Sequence, residues 1–221
     1  MDFFCELNRH KNSAAAQELA PGSEACFTLN QHLACVERRI ASLDAIDASI
    51  GDNFRAVGFV RDGVTPAWRQ VKSEFKTEAN RQGLPLDQLL PDGDRCLSPS
   101  DFGFHNAILA EDGRLRFIDF EYSGWDDPAK MVCDFFCQPA VPVPTDCFEA
   151  FSQRVTTGLS DAEHHARRVE LLLPVYRIKW CCIMLNEFLP VGRERRSFAR
   201  NALNEDQRRE TQLQKARDVL A

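Results

Sequence analysis

Residues 97–128 read LSPSDFGFHNAILAEDGRLRFIDFEYSGWDDP, and this stretch decides the reading of the whole chain. Two short apolar runs, 107–110 and 115–120, flank Asp112-Gly113, a dipeptide that favours a tight reversal, so the spacing predicts a β-hairpin. Three oxygen-bearing side chains sit around it. Asp101 and Asn106 stand five apart in the loop before the hairpin, and Asp119 lies at the end of the returning strand. A phosphoryl transfer needs a carboxylate beside the accepting hydroxyl and hard oxygen ligands for Mg²⁺ on the phosphates. A loop of this length lets one side chain face the acceptor and the other the metal.

Working outward, the flanks are helical. Residues 1–12 read as a short amphipathic helix. A second helix is expected to start near Ser23, with Phe27, Leu33, Val36, Ile40 and Leu43 at three-to-four spacing. A third covers 65–83, with Pro66 in its first turn, Trp68, Val71 and Phe75 on one face, and Gly83 past its end. Beyond Pro139 helices are expected over 144–159, 161–189 and 194–220. The fold class is therefore α+β and mainly α-helical, with a small hairpin at the site.

The chain has 221 residues, 44% of them hydrophobic, and a formal net charge of −6. That composition fits a folded globular protein, and the acidic balance disfavours a nucleic-acid partner. No apolar run approaches the roughly 20 residues that span a bilayer. Nine cysteines, odd in number and without zinc-site spacing, fit a reducing compartment, so a cytoplasmic location is expected.

The segment SDFGFHNAIL, followed by LRFIDFEYSGWDDPAKMVCD, resembles the aminoglycoside phosphotransferase and choline kinase branch of the kinase-like superfamily. The catalytic loop of that family runs H-x-D-x-x-x-x-N, and an apolar strand ending in Asp-Phe follows. The resemblance implies a kinase-like C-terminal lobe spanning 1–221: 1–96 mainly helical, 97–138 carrying the catalytic and metal-binding loops, and 139–221 helical. It implies Asp101 as the catalytic aspartate, Asn106 and Asp119 as Mg²⁺ ligands, and Asp134 as a structural brace for the loop. ATP would be the phosphoryl donor, and a hydroxyl of an aminoglycoside, choline or sugar-like molecule the acceptor.

Two positions depart from the pattern. Pro99 stands where the family has its loop histidine, and Ser100 where it usually has glycine; His105, beside Asn106, is a candidate substitute brace. Upstream, the strand-rich lobe of about 80–100 residues that covers the nucleotide in such kinases is not legible. None of the eleven glycines forms a Gly-x-Gly, and Lys11, Lys72 and Lys76 lie outside any strand of the V-A-I-K kind. The chain thus reads as the C-terminal lobe of a full enzyme, with negligible turnover expected alone and with self-association or a partner chain covering apolar surface. The alternatives are a catalytically silent binding module and, less favoured, a metal-dependent phosphohydrolase. For the remaining conspicuous residues the bland reading is preferred: the aromatics as core, Asp126, Asp127 and Pro128 as a turn and helix start, and the 193–196 RERR as a solvated face.

Overall fold

The computed structural model describes residues 2–190 and 205–220. The RERR at 193–196 lies outside the described residues. The elements are helices α1 (Asp2–Arg9), α2 (Ala14–Gln17), α3 (Leu29–Ser42), α4 (Asn53–Phe59), α5 (Thr65–Arg81), α6 (Pro128–Cys137), α7 (Phe148–Thr156), α8 (Ala162–Leu185) and α9 (Glu205–Leu220). Between α5 and α6 lie four three-residue strands, β1 (Cys96–Ser98), β2 (Ala107–Leu109), β3 (Leu115–Phe117) and β4 (Gly124–Asp126). The fold is mainly α-helical with small antiparallel sheets, as the hydrophobic spacing predicts. Two compact units divide it: residues 1–32 with 78–176, and 33–77 with 177 onward.

The first unit holds all four strands. β2 and β3 pair antiparallel with Ala107 opposite Phe117 and Leu109 opposite Leu115. The expected hairpin is present, its turn closed by the Gly113 N–H on the Ala110 carbonyl at 2.9 Å. β1 pairs with β4, and this ladder was not legible, because its strands are 25 residues apart and very short. The chain at 20–22 threads along the other edge of β4: Trp125 N–H donates to the Ala20 carbonyl at 3.1 Å, and Gly22 N–H to the Trp125 carbonyl at 2.9 Å. A Cβ on Gly124 would lie 2.3 Å from the Ala20 carbonyl oxygen and 2.5 Å from the Gly22 nitrogen, so only glycine lets these backbones approach. This extended thread also corrects the expected helix start near Ser23. Backbone groups at 20–23 are committed to the edge of β4 and the Tyr122 carbonyl, and α3 begins only at Leu29.

α6 lies at the centre of the unit, with eight of its ten residues buried. Its start follows from sequence: Asp127 is the N-cap, its carboxylate accepts from Ala129 N–H at 2.7 Å, and Pro128 follows. A helix buried on all sides must pair whatever polar groups it carries, and α6 carries Lys130 and Asp134.

The second unit is built on the buried side chains of Leu33, Val36, Val64, Trp68, Leu185 and Leu213. α4 runs into α5 through five residues of π-helix, Val60–Val64, where the Thr65 N–H reaches the Val60 carbonyl. Pro66 explains the widened turn. Proline has no N–H for the regular ladder and its ring crowds the preceding turn, so the helix absorbs it in a local bulge.

Candidate functional site

The loop after β1 turns sharply at Pro99-Ser100. Asp101 N–H donates to the Pro99 carbonyl at 2.8 Å, Ser100 N–H to the Ser98 hydroxyl at 3.1 Å, and Ser100 takes φ 62°. That left-handed backbone is costly for serine and natural for glycine. The turn brings out Asp101, whose side chain is 40% exposed.

Two neighbours hold that carboxylate. The Asn106 side-chain N–H₂ donates to Asp101 Oδ2 at 3.1 Å and to the Asp101 carbonyl at 3.0 Å. His105 Nε2 lies 3.1 Å from Asp101 Oδ1. The carboxylate is an acceptor, so Nε2 carries the proton of this bond. His105 is itself seated against Gly103, where a Cβ would come within 2.6 Å of Nδ1, so the glycine is what lets the ring reach Asp101. Sequence reading placed Asp101 apart from Asn106, facing a cleft, but the structure joins them directly. Five residues of loop ending in the short helical turn Phe104–Asn106 fold back far enough to bring the two together.

Asp119 sits just past the hairpin. Ile118 N–H donates to the Asn106 carbonyl at 2.9 Å, extending the β2–β3 ladder by one pair, so Asp119 follows the residue opposite Asn106. Its backbone is also left-handed, φ 65°, which tilts it out of the strand. Its carboxylate is exposed and has no hydrogen-bond or ion-pair partner among the described residues. With the Asn106 amide nitrogen committed to Asp101, the donor set left for a cation is the Asn106 amide oxygen and the Asp119 carboxylate. These are hard oxygens, in the small number that Mg²⁺ takes from a protein when phosphates and waters complete its shell. Among the described residues no three His, Cys, Asp or Glu side chains gather into a metal cage. Lys11 is engaged elsewhere, its Nζ on the carbonyls of Gly93 and Arg95.

A buried ionic network lies in the same unit; the sequence reading named Asp134 in it as a structural brace but missed its basic members. Asp126 accepts from Lys130 Nζ at 2.5 Å, and Asp134 lies 3.5 Å from the same nitrogen. Burial alone would strip the proton from Lys130, but the two carboxylates outweigh it and hold the amine above its usual range. Burial pushes the Asp126 carboxyl up in spite of Lys130. One residue on, Asp127 Oδ2 meets Arg168 at 2.5 Å and His32 Nε2 at 3.1 Å, and His32 Nδ1 meets the Tyr176 hydroxyl at 2.7 Å. Burial opposes the Asp127 charge, yet Arg168 and His32 win and hold it well below the ordinary carboxylate range. The reading of 126–128 as a turn and helix start is correct in backbone terms, though both acids are fully buried. The available signal was acid, base and acid at 126, 130 and 134, four apart, with Lys130 and Asp134 on α6 and Asp126 at the strand end just before it.

The aromatic residues are largely core, as expected: Phe102, Phe135, Phe151 and Trp68 are buried. Phe54 and Tyr122 are exposed instead, and so is much of the hairpin. Ile108 and Leu109, 54% and 69% exposed, continue into exposed Leu115, Ile118 and Phe120.

No family model matches the chain, and no curated protein does. Among solved structures it is similar to an ethanolamine kinase from Plasmodium vivax, at 16% identity and a TM-score of 0.47, over 98% of this chain and 53% of that one. The chain thus spans about half the length of that kinase. Among the described residues no helix is long and apolar enough to cross a membrane.

Proposed function

We propose that this chain is a phosphotransferase-type protein acting on a hydroxyl group of a small molecule, with ATP as donor and Mg²⁺ as cofactor. The observation that carries the reading is the Asp101–Asn106 pair in a loop turned through a left-handed Ser100, with the unpartnered Asp119 placed by the Asn106–Ile118 bond. Asp101 orients the acceptor hydroxyl and takes its proton. Asn106 and Asp119 hold Mg²⁺, which neutralises charge on the phosphates. His105 does the bracing that Pro99 does not, fixing Asp101 from one side while Asn106 fixes it from the other. Choline, ethanolamine-like amino-alcohols, aminoglycosides and neutral sugars all present a suitable hydroxyl.

The test is calorimetric. The full chain should bind ATP in the presence of Mg²⁺, and Asp119→Asn should remove the Mg²⁺-dependent part. ATP binding that is equal in EDTA and unchanged by Asp119→Asn would sink the reading. A second reading, a silent binding module on the same scaffold, is favoured by the exposed apolar hairpin and by Pro99. Phosphate transfer to any of these acceptors, abolished by Asp101→Ala, would dismiss it.

A further inference from the structure

Within the first unit lies an open groove of about 1090 Å³ whose lining includes neither Asp101 nor Asp119. Its floor is a series of ring contacts. Phe102 packs on Phe135 with centroids 4.7 Å apart, and Phe135 on Phe151 at 5.0 Å. Phe117, 5.0 Å from Phe102, and Phe136, 5.6 Å from Phe151, make the walls. Rings that served only each other would close this space. Instead they leave a volume just above the roughly 300–1,000 Å³ typical of small-molecule sites, with the aromatic lining such sites use.

The rim has the opposite chemistry. Arg114, beside the hairpin turn, and Arg154, in the last turn of α7, both line the groove and are exposed. Neither guanidinium has a hydrogen-bond or ion-pair partner among the described residues. Asp2 is the acid in the lining, so two cations against one anion leave the rim positive. An arginine fork suits a carboxylate by geometry as well as charge, and two free forks over an aromatic floor select a molecule with one apolar end and one anionic end.

We infer that this groove binds a small amphiphilic carboxylate, its chain or ring on the phenylalanine floor and its carboxylate at Arg114 and Arg154. The groove's lining includes none of Asp101, His105, Asn106 and Asp119, although Phe102 and Phe104 of the same loop face it. The probe is decanoate, titrated calorimetrically into the full chain, with decyltrimethylammonium as the cationic control. Decanoate should bind with a stoichiometry near one. Ala150→Trp, which sets a bulky ring on an exposed lining position, should abolish that binding. The Arg114→Gln/Arg154→Gln pair should weaken it roughly tenfold or more. Thermal unfolding of each variant, matched to the parent, separates a filled groove from a damaged fold. Absence of decanoate binding would overturn the inference, as would binding that survives Ala150→Trp in a folded variant, or equal binding of the cationic probe. Because the probe contains neither metal nor nucleotide, these outcomes are independent of the phosphotransferase reading.

Discussion

Asn106 donates to Asp101 twice, at 3.0 Å to its carbonyl and 3.1 Å to its carboxylate, so one amide fixes both the backbone and the side chain of the residue proposed to meet substrate. Asn106→Ala removes both bonds. Each net hydrogen bond is worth about 0.5–1.5 kcal/mol, so a loss of about 1–3 kcal/mol of stability is expected in denaturant unfolding. Asn106→Asp should be worse for the site despite its similar size, because it sets a second carboxylate against Asp101 where a donor stood. An unfolding midpoint unchanged in Asn106→Ala would show that the bonds are not formed in solution.

Gly124→Ala should cost about 1–3 kcal/mol, since the added methyl meets backbone that no rotamer change can move aside. The effect should appear as a lower unfolding temperature and as faster proteolysis around residues 20–23. A neutral substitution would mean that the thread along β4 is not held as described.

The His32 site has a pH signature. Burial, the largest influence, holds the imidazole below its usual range even beside Asp127, so it stays neutral in the folded chain. In the unfolded chain it takes up a proton near pH ~6.5. The unfolded state then binds more protons, and stability should fall as pH drops below about 6.5. Asp127, held low, contributes stability that is lost only under far more acid conditions, as pH falls below the unfolded carboxylate value of about 3.9. His164 is also held low by burial and acts in the same direction, so unfolding temperatures at pH 7.5 and pH 5 should be compared in His32→Gln and His164→Gln. A pH dependence identical in parent and His32→Gln would refute the buried neutral imidazole.

The exposed hairpin face predicts association. Ile108 and Leu109 present an apolar strip with no cover among the described residues, and such patches drive contact between chains. Sedimentation velocity should show self-association that rises with concentration and disappears in Leu109→Lys. A parent that stays monomeric at high concentration would remove this expectation.

What the sequence made legible was local. Asp112-Gly113 between two apolar runs, and Asp127 ahead of Pro128, each carry their structural reason within a few residues, and both behave as read. The β1–β4 ladder and the thread at 20–22 are main-chain pairings between distant segments, for which no side-chain period exists; Gly124 was the sole trace. Lys130, Arg168 and His32 were passed over because charged residues on helices ordinarily face water. Only burial, which depends on the whole unit, turns them into a network. The spacing of Asp101, Asn106 and Asp119 drew attention to the loop, but not the hydrogen bonds that tie the first two together.

The two compact units alternate along the chain, which passes between them after residues 32, 77 and 176, each time inside a helix: α3, α5 and α8. During synthesis, therefore, neither unit is complete when its first segment leaves the ribosome. Residues 1–32 must wait for 78–176, and 33–77 must wait for the segment from 177 onward. Such discontinuity makes folding depend on late, long-range encounters, which slows it and leaves apolar helix faces open to chaperones while the chain is still growing.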